Sequence, residues 1–522
     1  MPPNYTLYLV TDSTAPILKG RDLAKIVKDA IDGGVTIVQY RDKTSDTADL
    51  IRTAKELHKI TKAAGVPLLI NDRIDVALAV GTEGVHIGQD DIDIATARKI
   101  LGPEAIIGVT ASSEEEAIAA VKGGANYLGL GTVFATPTKE NTKSIIGASG
   151  VRDILSRISQ LPNSEHVGTV CIGGINAANV QRVLYQSHSP DKSLDGVAVV
   201  SAIVGADEPR TAAQHLYDLI LRAPAFARAI HQPSSLTATI TTDLIIAQVP
   251  KIAKALAEKT PLCHNMTNLV VQNIAANVAL CVGASPIMSN NGLEAPDLAK
   301  LGGALVINMG TVTPEGLSNN LQALRAYNAV GGPVVFDPVG AGATQQRRNG
   351  VKTLMAGGYF DLIKGNEMEI KAVAGVSGEQ MRGVDSGPGT LSLEEKCAMV
   401  RSLAGRERCL ALMTGSVDVL SDGRRTVAVM NGHGFLGSIT GSGCTLGTTA
   451  AAYLAVHKED TLMAVLAAML HFEIAAERAA ARDEVRGPGT FVPAWLDELH
   501  LIKQSSLKGD EEWVREAKVV AL

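Results

Sequence analysis

Residues 67–91 read PLLINDRIDVALAVGTEGVHIGQDD, and this stretch indicates the fold of the first half of the chain. It contains two short apolar runs, 67–70 and 84–87, and polar residues follow each of them, among them Asp72 and Asp91. Short apolar runs with polar or glycine boundaries are typical of buried parallel strands. Because parallel strands end at the same edge, the two carboxylates are predicted to lie close together.

The same rhythm extends over the first 200 residues. Further apolar, β-rich runs occupy residues 5–11, 35–40, 106–110, 127–131, 167–172 and 196–201. Helix-like segments lie between the runs, at 23–32, 46–64, 94–101, 113–123 and 176–185. Eight apolar runs with polar ends, alternating with helix-like segments, predict a (βα)8 TIM barrel with its active site at the carboxyl ends of the strands.

The rhythm stops near residues 221–242, where Pro, Ser and Thr residues indicate a linker. We predict a barrel domain over 1–229, a linker over 230–242 and a second domain over 243–522. The second domain has longer helical patterns, apolar strand runs and a long Ala-rich helix from Thr445. These features predict a layered α/β domain with helices covering an internal sheet.

Composition excludes several classes of protein. The chain has 522 residues, 46% apolar, with a net charge of −6 and no basic block, so nucleic-acid binding is not expected. Its six cysteines lack the spacing of zinc sites or of a disulfide framework. No apolar run approaches the roughly 20 residues of a membrane span. We expect a soluble, cytoplasmic protein that does not bind membranes.

The strand ends of the first half carry groups suited to a phosphorylated substrate. Asp72 and Asp91 can share one Mg²⁺, an ion that takes few protein ligands and leaves positions for a diphosphate. Basic side chains stand at nearby strand ends, namely Arg41, Lys43 and Lys139. Gly173, Gly174 and Ser201 follow strands seven and eight, where barrels commonly bind phosphate. His86 lies within an apolar strand run and is predicted to be structural.

These residues resemble thiamine phosphate synthase over roughly residues 5–205. The matching motifs are QYRDK (39–43), ND (71–72), HIGQDD (86–91), GLG (129–131), TPTK (136–139), IGGI (172–175) and VSAI (200–203). The resemblance implies that a thiazole nitrogen displaces diphosphate from a pyrimidine methylene carbon. Gln39, Asn71 and Thr110 would line the pyrimidine pocket, and Mg²⁺ on Asp72 and Asp91, with Arg41, Lys43 and Lys139, would stabilise the diphosphate. The thiazole phosphate would be held by Gly174, Val200 and Ser201, with Thr136 and Thr138 helping to position the leaving group or the thiazole.

The second half contains parts suited to phosphoryl transfer. The sequence GSGCT at 441–445 precedes the Ala-rich helix, so backbone N–H groups can face an anion at its N-terminus. NEME at 366–369 and DPVGAGAT at 337–344 place carboxylates at strand ends. Carboxylates that order Mg²⁺ near an anion site are the groups that phosphoryl transfer requires. The Walker lysine motif is absent from the sequence.

Residues 244–500 resemble hydroxyethylthiazole kinase, which has a ribokinase-like fold. Further matching motifs are NMTN (265–268), GASPIM (283–288), INMGT (307–311), KGN (364–366) and TGSVD (414–418). The resemblance implies that Asn268 and Met288 contact the thiazole alcohol, and that Asp337 and Glu369 organise Mg²⁺. ATP would be bound by Lys364, Thr414, Gly441 and Gly443.

Cys444 stands where related kinases have Asp, in the predicted first turn of the long helix. A helix N-terminus can lower the pKa of a thiol. We therefore expect Cys444 either to accept the proton of the substrate hydroxyl or to orient that hydroxyl.

Two alternatives remain from the sequence. The same folds could carry a thiazole tautomerase and a kinase for another vitamin alcohol, or the protein could be a metabolite sensor without turnover. The paired carboxylates and lysines favour diphosphate chemistry over both. Family resemblance also implies a homo-oligomer built on a kinase trimer, with small molecules as its binding partners.

Overall fold

A computed structural model describes residues 3–136, 145–227, 240–376 and 390–522. The chain forms two compact units, Met1–Pro224 and Ala225–Leu522. The predicted linker over 230–242 falls mostly outside the described residues, so its bounds and those of the two domains stay predictions. Within the described residues, no helix is both long enough and apolar enough to cross a membrane.

The first unit is the predicted barrel. Its strands are all parallel, and β1 pairs with β8 to close the ring. They are β1 (Leu7–Val10), β2 (Ile37–Tyr40), β3 (Leu68–Asn71), β4 (Gly84–Ile87), β5 (Ile106–Ala111), β6 (Tyr127–Leu130), β7 (Gly168–Ile172) and β8 (Gly196–Val199). Each lies within or next to a run predicted from the sequence, so the (βα)8 fold is confirmed.

Helices surround the barrel. They are α1 (Ala15–Leu18), α2 (Leu23–Asp32), α3 (Thr47–Ala63), α4 (Ile74–Val80), α5 (Ile94–Leu101), α6 (Glu114–Lys122), α7 (Gly147–Ile158), α8 (Val180–Ser187), α9 (Ser201–Val204) and α10 (Pro209–Leu221). The helix α2 shows why these segments are helical. The Asp22 side chain accepts a hydrogen bond from the Ala24 N–H at its start, and Leu23, Ile26, Val27 and Ala30 form one buried face.

The second unit is built on a nine-stranded sheet in the order β10-β9-β11-β12-β13-β14-β15-β16-β17. The strands are β9 (Leu262–Met266), β10 (Ser285–Ile287), β11 (Ala304–Asn308), β12 (Val334–Asp337), β13 (Leu362–Asn366), β14 (Leu410–Thr414), β15 (Asp418–Ser421), β16 (Thr426–Val429) and β17 (Val519–Ala521). Strands β9 to β14 are parallel, whereas β15, β16 and β17 extend the sheet with antiparallel pairs.

Helices cover both faces of this sheet, as predicted. One face carries α11 (Thr242–Lys259), α12 (Gln272–Val282), α18 (Ser442–Val456), α19 (Thr461–Ala480) and α20 (Pro488–Lys508). The other carries α13 (Ala295–Lys300), α14 (Pro314–Val330), α15 (Gln345–Gly357), α16 (Glu367–Ala374) and α17 (Leu393–Glu407). Ligands in such sheets bind beyond the carboxyl ends of the parallel strands.

Candidate active sites

Asp72 and Asp91 lie together at the carboxyl ends of β3 and β4. Asp72 has a φ of +63°, in the left-handed region, which is uncommon for non-glycine residues but which Asp adopts more readily than most. Lys43 Nζ lies 3.3 Å from Asp72 Oδ2, and the Gly88 N–H donates to Asp91 Oδ2 at 2.6 Å. The backbone N–H of Arg41 donates to Thr11 Oγ1 at 3.0 Å, which places Arg41 at the same end of the barrel.

The two carboxylates influence each other's protonation. Burial, followed by the neighbouring Asp91 carboxyl, raises the pKa of Asp72. Burial by itself would also raise the pKa of Asp91, but hydrogen bonds with Asp72 and with the Gly88 N–H lower it. Two adjacent carboxyls hold a proton or a cation between them, so the pair fits the Mg²⁺ that the sequence predicts.

The residues predicted to bind the pyrimidine also meet. Gln39 Nε2 donates to Asn71 Oδ1 at 2.7 Å, so these side chains of β2 and β3 form one wall. Thr110 stands near the carboxyl end of β5, with its hydroxyl 2.9 Å from His86 Nε2. His86 therefore contacts a predicted substrate-binding residue, which its position in an apolar run did not indicate.

The loop after β7 depends on two glycines. Gly173 and Gly174 have φ values of +113° and +65°. A Cβ at Gly173 would lie 2.4 Å from Thr132 Cγ2, and one at Gly174 would lie 2.9 Å from Phe134 Cβ. Both positions therefore require glycine, because neighbouring residues of the protein occupy the space that a Cβ would need.

The remaining predicted residues of this site divide into two groups. Thr136, Val200 and Ser201 lie beyond strand ends at the same face of the barrel. Thr138 and Lys139 lie outside the described residues.

In the second unit, the predicted site residues collect at the carboxyl edge of the parallel strands. Asp337, Lys364 and Thr414 lie at or near the ends of β12, β13 and β14, and Asn268 and Met288 follow β9 and β10. The helix α18 begins at this edge, with Gly441 as its N-cap and Gly443 and Cys444 in its first turn. A Cβ on Gly443 would lie 3.7 Å from Lys364 Nζ, so the helix N-terminus and the lysine are close.

A buried ion pair forms the centre of this cluster. Lys364 Nζ lies 3.1 Å from Asp337 Oδ1, and the two side chains are 3% and 1% exposed. Asp337 is therefore already neutralised by a cation of the chain itself.

Asn308, to which the sequence pattern assigned no role, connects the other members of the cluster. Its Nδ2 donates to Asp337 Oδ2 at 2.8 Å and approaches Cys444 Sγ at 3.1 Å. Its Oδ1 accepts from Asn268 Nδ2 at 3.0 Å. Its position at the end of a strand, in the INMGT motif, is the sequence feature from which a role for Asn308 in the site could have been predicted.

Glu369 differs from the expectation of a simple metal ligand. Its Oε1 accepts from the Gly340 N–H at 2.9 Å and its Oε2 from the Asn366 N–H at 2.8 Å, so it caps α16 and holds the loop after β12. Burial, followed by Asp337, raises the pKa of Glu369 to about 7. Each oxygen thus accepts one backbone hydrogen bond and keeps a further lone pair, and binding of Mg²⁺ by Asp337 and Glu369 stays a prediction.

The expected lowering of the Cys444 pKa is wrong. Burial and the nearby Asp337 carboxylate raise the pKa of the Cys444 thiol to about 12. Desolvation of a thiolate and repulsion by a carboxylate outweigh the opposing effects of the Lys364 ammonium and the Asn308 hydrogen bond. The thiol is therefore protonated at neutral pH, which disfavours the general base and leaves the orienting role.

Among the described residues, no group of three or more His, Cys, Asp or Glu side chains is arranged to hold a metal. The Asp72–Asp91 pair has two such ligands, which is the number expected where substrate oxygens and waters complete the coordination of Mg²⁺.

Comparisons with known proteins match both units. A family model described as thiamine monophosphate synthase matches residues 7–203, and one described as hydroxyethylthiazole kinase family matches residues 253–505. The chain is 43% identical to the probable thiamine biosynthetic bifunctional enzyme of Schizosaccharomyces pombe, over 99% of this chain and 98% of that protein. It is 35% identical to the thiamine biosynthetic bifunctional enzyme of Saccharomyces cerevisiae, over 95% of each. The chain therefore belongs to the family of bifunctional thiamine biosynthetic enzymes, with a thiamine-phosphate synthase domain followed by a hydroxyethylthiazole kinase domain.

Proposed function

We propose that the second unit phosphorylates the hydroxyl of hydroxyethylthiazole with ATP, and that the barrel joins the thiazole phosphate to a hydroxymethylpyrimidine diphosphate. The products of the second reaction are thiamine phosphate and diphosphate. The observation that carries the proposal is that each unit brings its own predicted ionic groups into contact, Lys43–Asp72–Asp91 in one and Lys364–Asp337 in the other.

In the barrel, we assign the ionic groups to the leaving diphosphate. Asp72 and Asp91 would hold Mg²⁺, which supplies positive charge to the diphosphate oxygens. Lys43 and Arg41 would add charge from the chain, and stabilising the leaving group favours cleavage of the carbon–oxygen bond. Lys139 is assigned the same role on the resemblance alone. The thiazole nitrogen forms the new bond to the methylene carbon, so no strong base is needed.

In the kinase unit, we assign Asn268 and Met288 to the thiazole alcohol, and Lys364, Thr414 and the first turn of α18 to the ATP phosphates. Lys364 is held by Asp337, which fixes the position of its positive charge. Cys444 would orient the substrate hydroxyl, because phosphoryl transfer with a loose transition state requires little base assistance.

The proposal is tested by incubating the full chain with hydroxyethylthiazole, pyrimidine diphosphate, ATP and Mg²⁺. Formation of thiamine phosphate supports it. Phosphorylation of a different vitamin alcohol, isomerisation of a thiazole, or binding without turnover would contradict it. The variant Asp72→Asn is the matched control, because it should stop the joining reaction and still accumulate thiazole phosphate.

Cytoplasmic location and an oligomer built on a kinase trimer remain predictions.

A further inference from the structure

A chain of hydrogen bonds crosses the interior of the barrel beneath the predicted pyrimidine pocket. Tyr8 Oη lies 3.2 Å from Gln39 Oε1 and 2.6 Å from Tyr127 Oη. Tyr127 Oη also lies 2.8 Å from His86 Nδ1, and His86 Nε2 lies 2.9 Å from Thr110 Oγ1. This series of hydrogen bonds thus connects Gln39 with Thr110, two of the residues predicted to line the pocket.

The barrel has space for the rings of Tyr127 and His86 because two neighbouring strands carry glycine. A Cβ on Gly108 of β5 would lie 2.0 Å from the Tyr127 ring, and one on Gly129 of β6 would lie 3.0 Å from His86 Cε1. Any larger residue at Gly108 would displace the tyrosine, because packed interiors do not absorb such an overlap. The rings of Tyr127 and His86 therefore occupy places that the surrounding backbone leaves for them.

The number of available hydrogens determines which group donates in each hydrogen bond of the series. Burial raises the pKa of both Tyr8 and Tyr127, so each phenol keeps its single hydrogen. Gln39 Oε1 is an acceptor, so three contacts, Tyr8 to Gln39, Tyr8 to Tyr127 and Tyr127 to His86, require three hydrogens. Two come from the phenols, and the third must come from His86 Nδ1.

In its neutral form, an imidazole with its hydrogen on Nδ1 has an acceptor at Nε2, and we take His86 to be in this form. The Thr110 hydroxyl then donates to His86 Nε2, and its oxygen lone pairs are left for a ligand. At the other end, Gln39 accepts from Tyr8 and donates to Asn71 Oδ1. The carbonyl oxygens of both amides are engaged, so that wall can offer N–H groups.

We propose that Tyr127, through His86, is a positioning residue that orients the Thr110 hydroxyl as an acceptor for the exocyclic amino group of the pyrimidine substrate. The inference rests on the proposed function of the barrel. An aminopyrimidine carries ring nitrogens that accept and an amino group that donates, which matches a pocket with donors on the Gln39 side and an acceptor on the Thr110 side.

The test is the variant Tyr127→Phe in the full chain, with steady-state kinetics for each substrate of the joining reaction. Without the phenol, Nδ1–H loses its acceptor and the imidazole can move its hydrogen to Nε2, which reverses the Thr110 hydroxyl. We expect the KM for pyrimidine diphosphate to rise about 10-fold. The KM for thiazole phosphate and the kinase activity of the same chain should stay unchanged.

Tyr5→Phe is the matched control. Its ring centroid lies 5.0 Å from that of Tyr127, but within the described residues its buried hydroxyl has no hydrogen-bond partner. Tyr5→Phe removes one buried hydroxyl, as Tyr127→Phe does, but breaks none of these hydrogen bonds. The kinetics of Tyr5→Phe should therefore match those of the wild type. Thermal unfolding followed by circular dichroism checks that both variants remain folded.

A double-mutant cycle shows whether Tyr127 acts through Thr110. In a Thr110→Ala background, Tyr127→Phe should have little further effect, because the group that it orients is gone. The inference is overturned if Tyr127→Phe has the same KM for pyrimidine diphosphate as Tyr5→Phe. It is also overturned if Tyr127→Phe raises this KM as much in the Thr110→Ala background as in the wild type. A wild-type KM in Thr110→Ala itself would refute the pocket assignment and this inference with it, whereas a defective Thr110→Ala beside an unaffected Tyr127→Phe would overturn the inference alone.

Discussion

The buried pair of Asp337 and Lys364 makes a prediction that separates stability from catalysis in the kinase unit. The substitution Asp337→Asn removes the negative charge and leaves the Lys364 ammonium in a site where its side chain is 3% exposed. Removing one partner of a buried ion pair destabilises a protein by roughly 3–5 kcal/mol. Since domains have a total stability of about 5–15 kcal/mol, the loss should be easy to measure.

The chain offers a selective probe for this measurement. Its two tryptophans, Trp495 and Trp513, both lie in the second unit and are 0% and 2% exposed. Tryptophan fluorescence during urea unfolding therefore reports on the kinase unit, and the midpoint should fall in Asp337→Asn. The joining reaction with supplied thiazole phosphate should remain normal, because the barrel is unchanged.

Two further variants complete the experiment. Asp297→Asn breaks an exposed pair with Lys300 in the same unit, where the side chains are 87% and 70% exposed, and should leave the midpoint nearly unchanged. Combining Asp337→Asn with Lys364→Met should restore much of the stability, because neither charge of this pair is left without its partner, and the double variant should lack kinase activity. The reasoning is refuted if Asp337→Asn is as stable as Asp297→Asn, or if the double variant is no more stable than the single one.

Three other predictions follow from the geometry. Asp72→Asn and Asp91→Asn should each reduce the joining reaction at least about 100-fold with normal kinase activity; normal joining rates in both would contradict the cation site. Cys444→Ser should keep more kinase activity than Cys444→Ala. The ratio of wild-type to Cys444→Ser activity should be constant from about pH 6 to pH 9, because burial raises the thiol pKa to about 12 and no thiolate forms in that range. A ratio that rises with pH would support Cys444 as the general base. Burial raises the pKa of Asp418 to about 6, and burial together with the nearby Asp418 raises the pKa of Glu473. A carboxyl with a raised pKa in the folded state favours folding at low pH, and this contribution is lost as the pH rises above about 4 and through 6. Glu473→Gln should therefore stabilise the kinase unit at pH 8 and not at pH 4, and an equal gain in urea unfolding at both pH values would disprove the coupling.

Several parts of the sites could be predicted from residue order. In parallel α/β folds the carboxyl ends of strands share one edge, so polar residues after apolar runs must converge. That rule alone brings Asp72 near Asp91, and it brings Asp337 and Lys364 to one edge of the sheet.

The antiparallel edge of the second sheet could not be predicted in the same way. The strand β17 pairs with β16 although almost 100 residues separate them, with Val427 opposite Ala521. Short strands of this kind carry little local signal, because their stability comes from cross-strand contacts with distant residues.

Alternation of apolar and polar residues is a local property of a polypeptide. Residue order therefore predicted the two-part architecture, the (βα)8 barrel and the strand ends at which the ionic residues stand. The interactions among those residues became visible only in the folded protein. It places Asn308 between Asp337 and Cys444, and it joins His86 to both Tyr127 and Thr110. The physical reason is that hydrogen-bond partners and desolvation depend on which side chains meet across strands, and the spacing of residues along one strand does not contain that information.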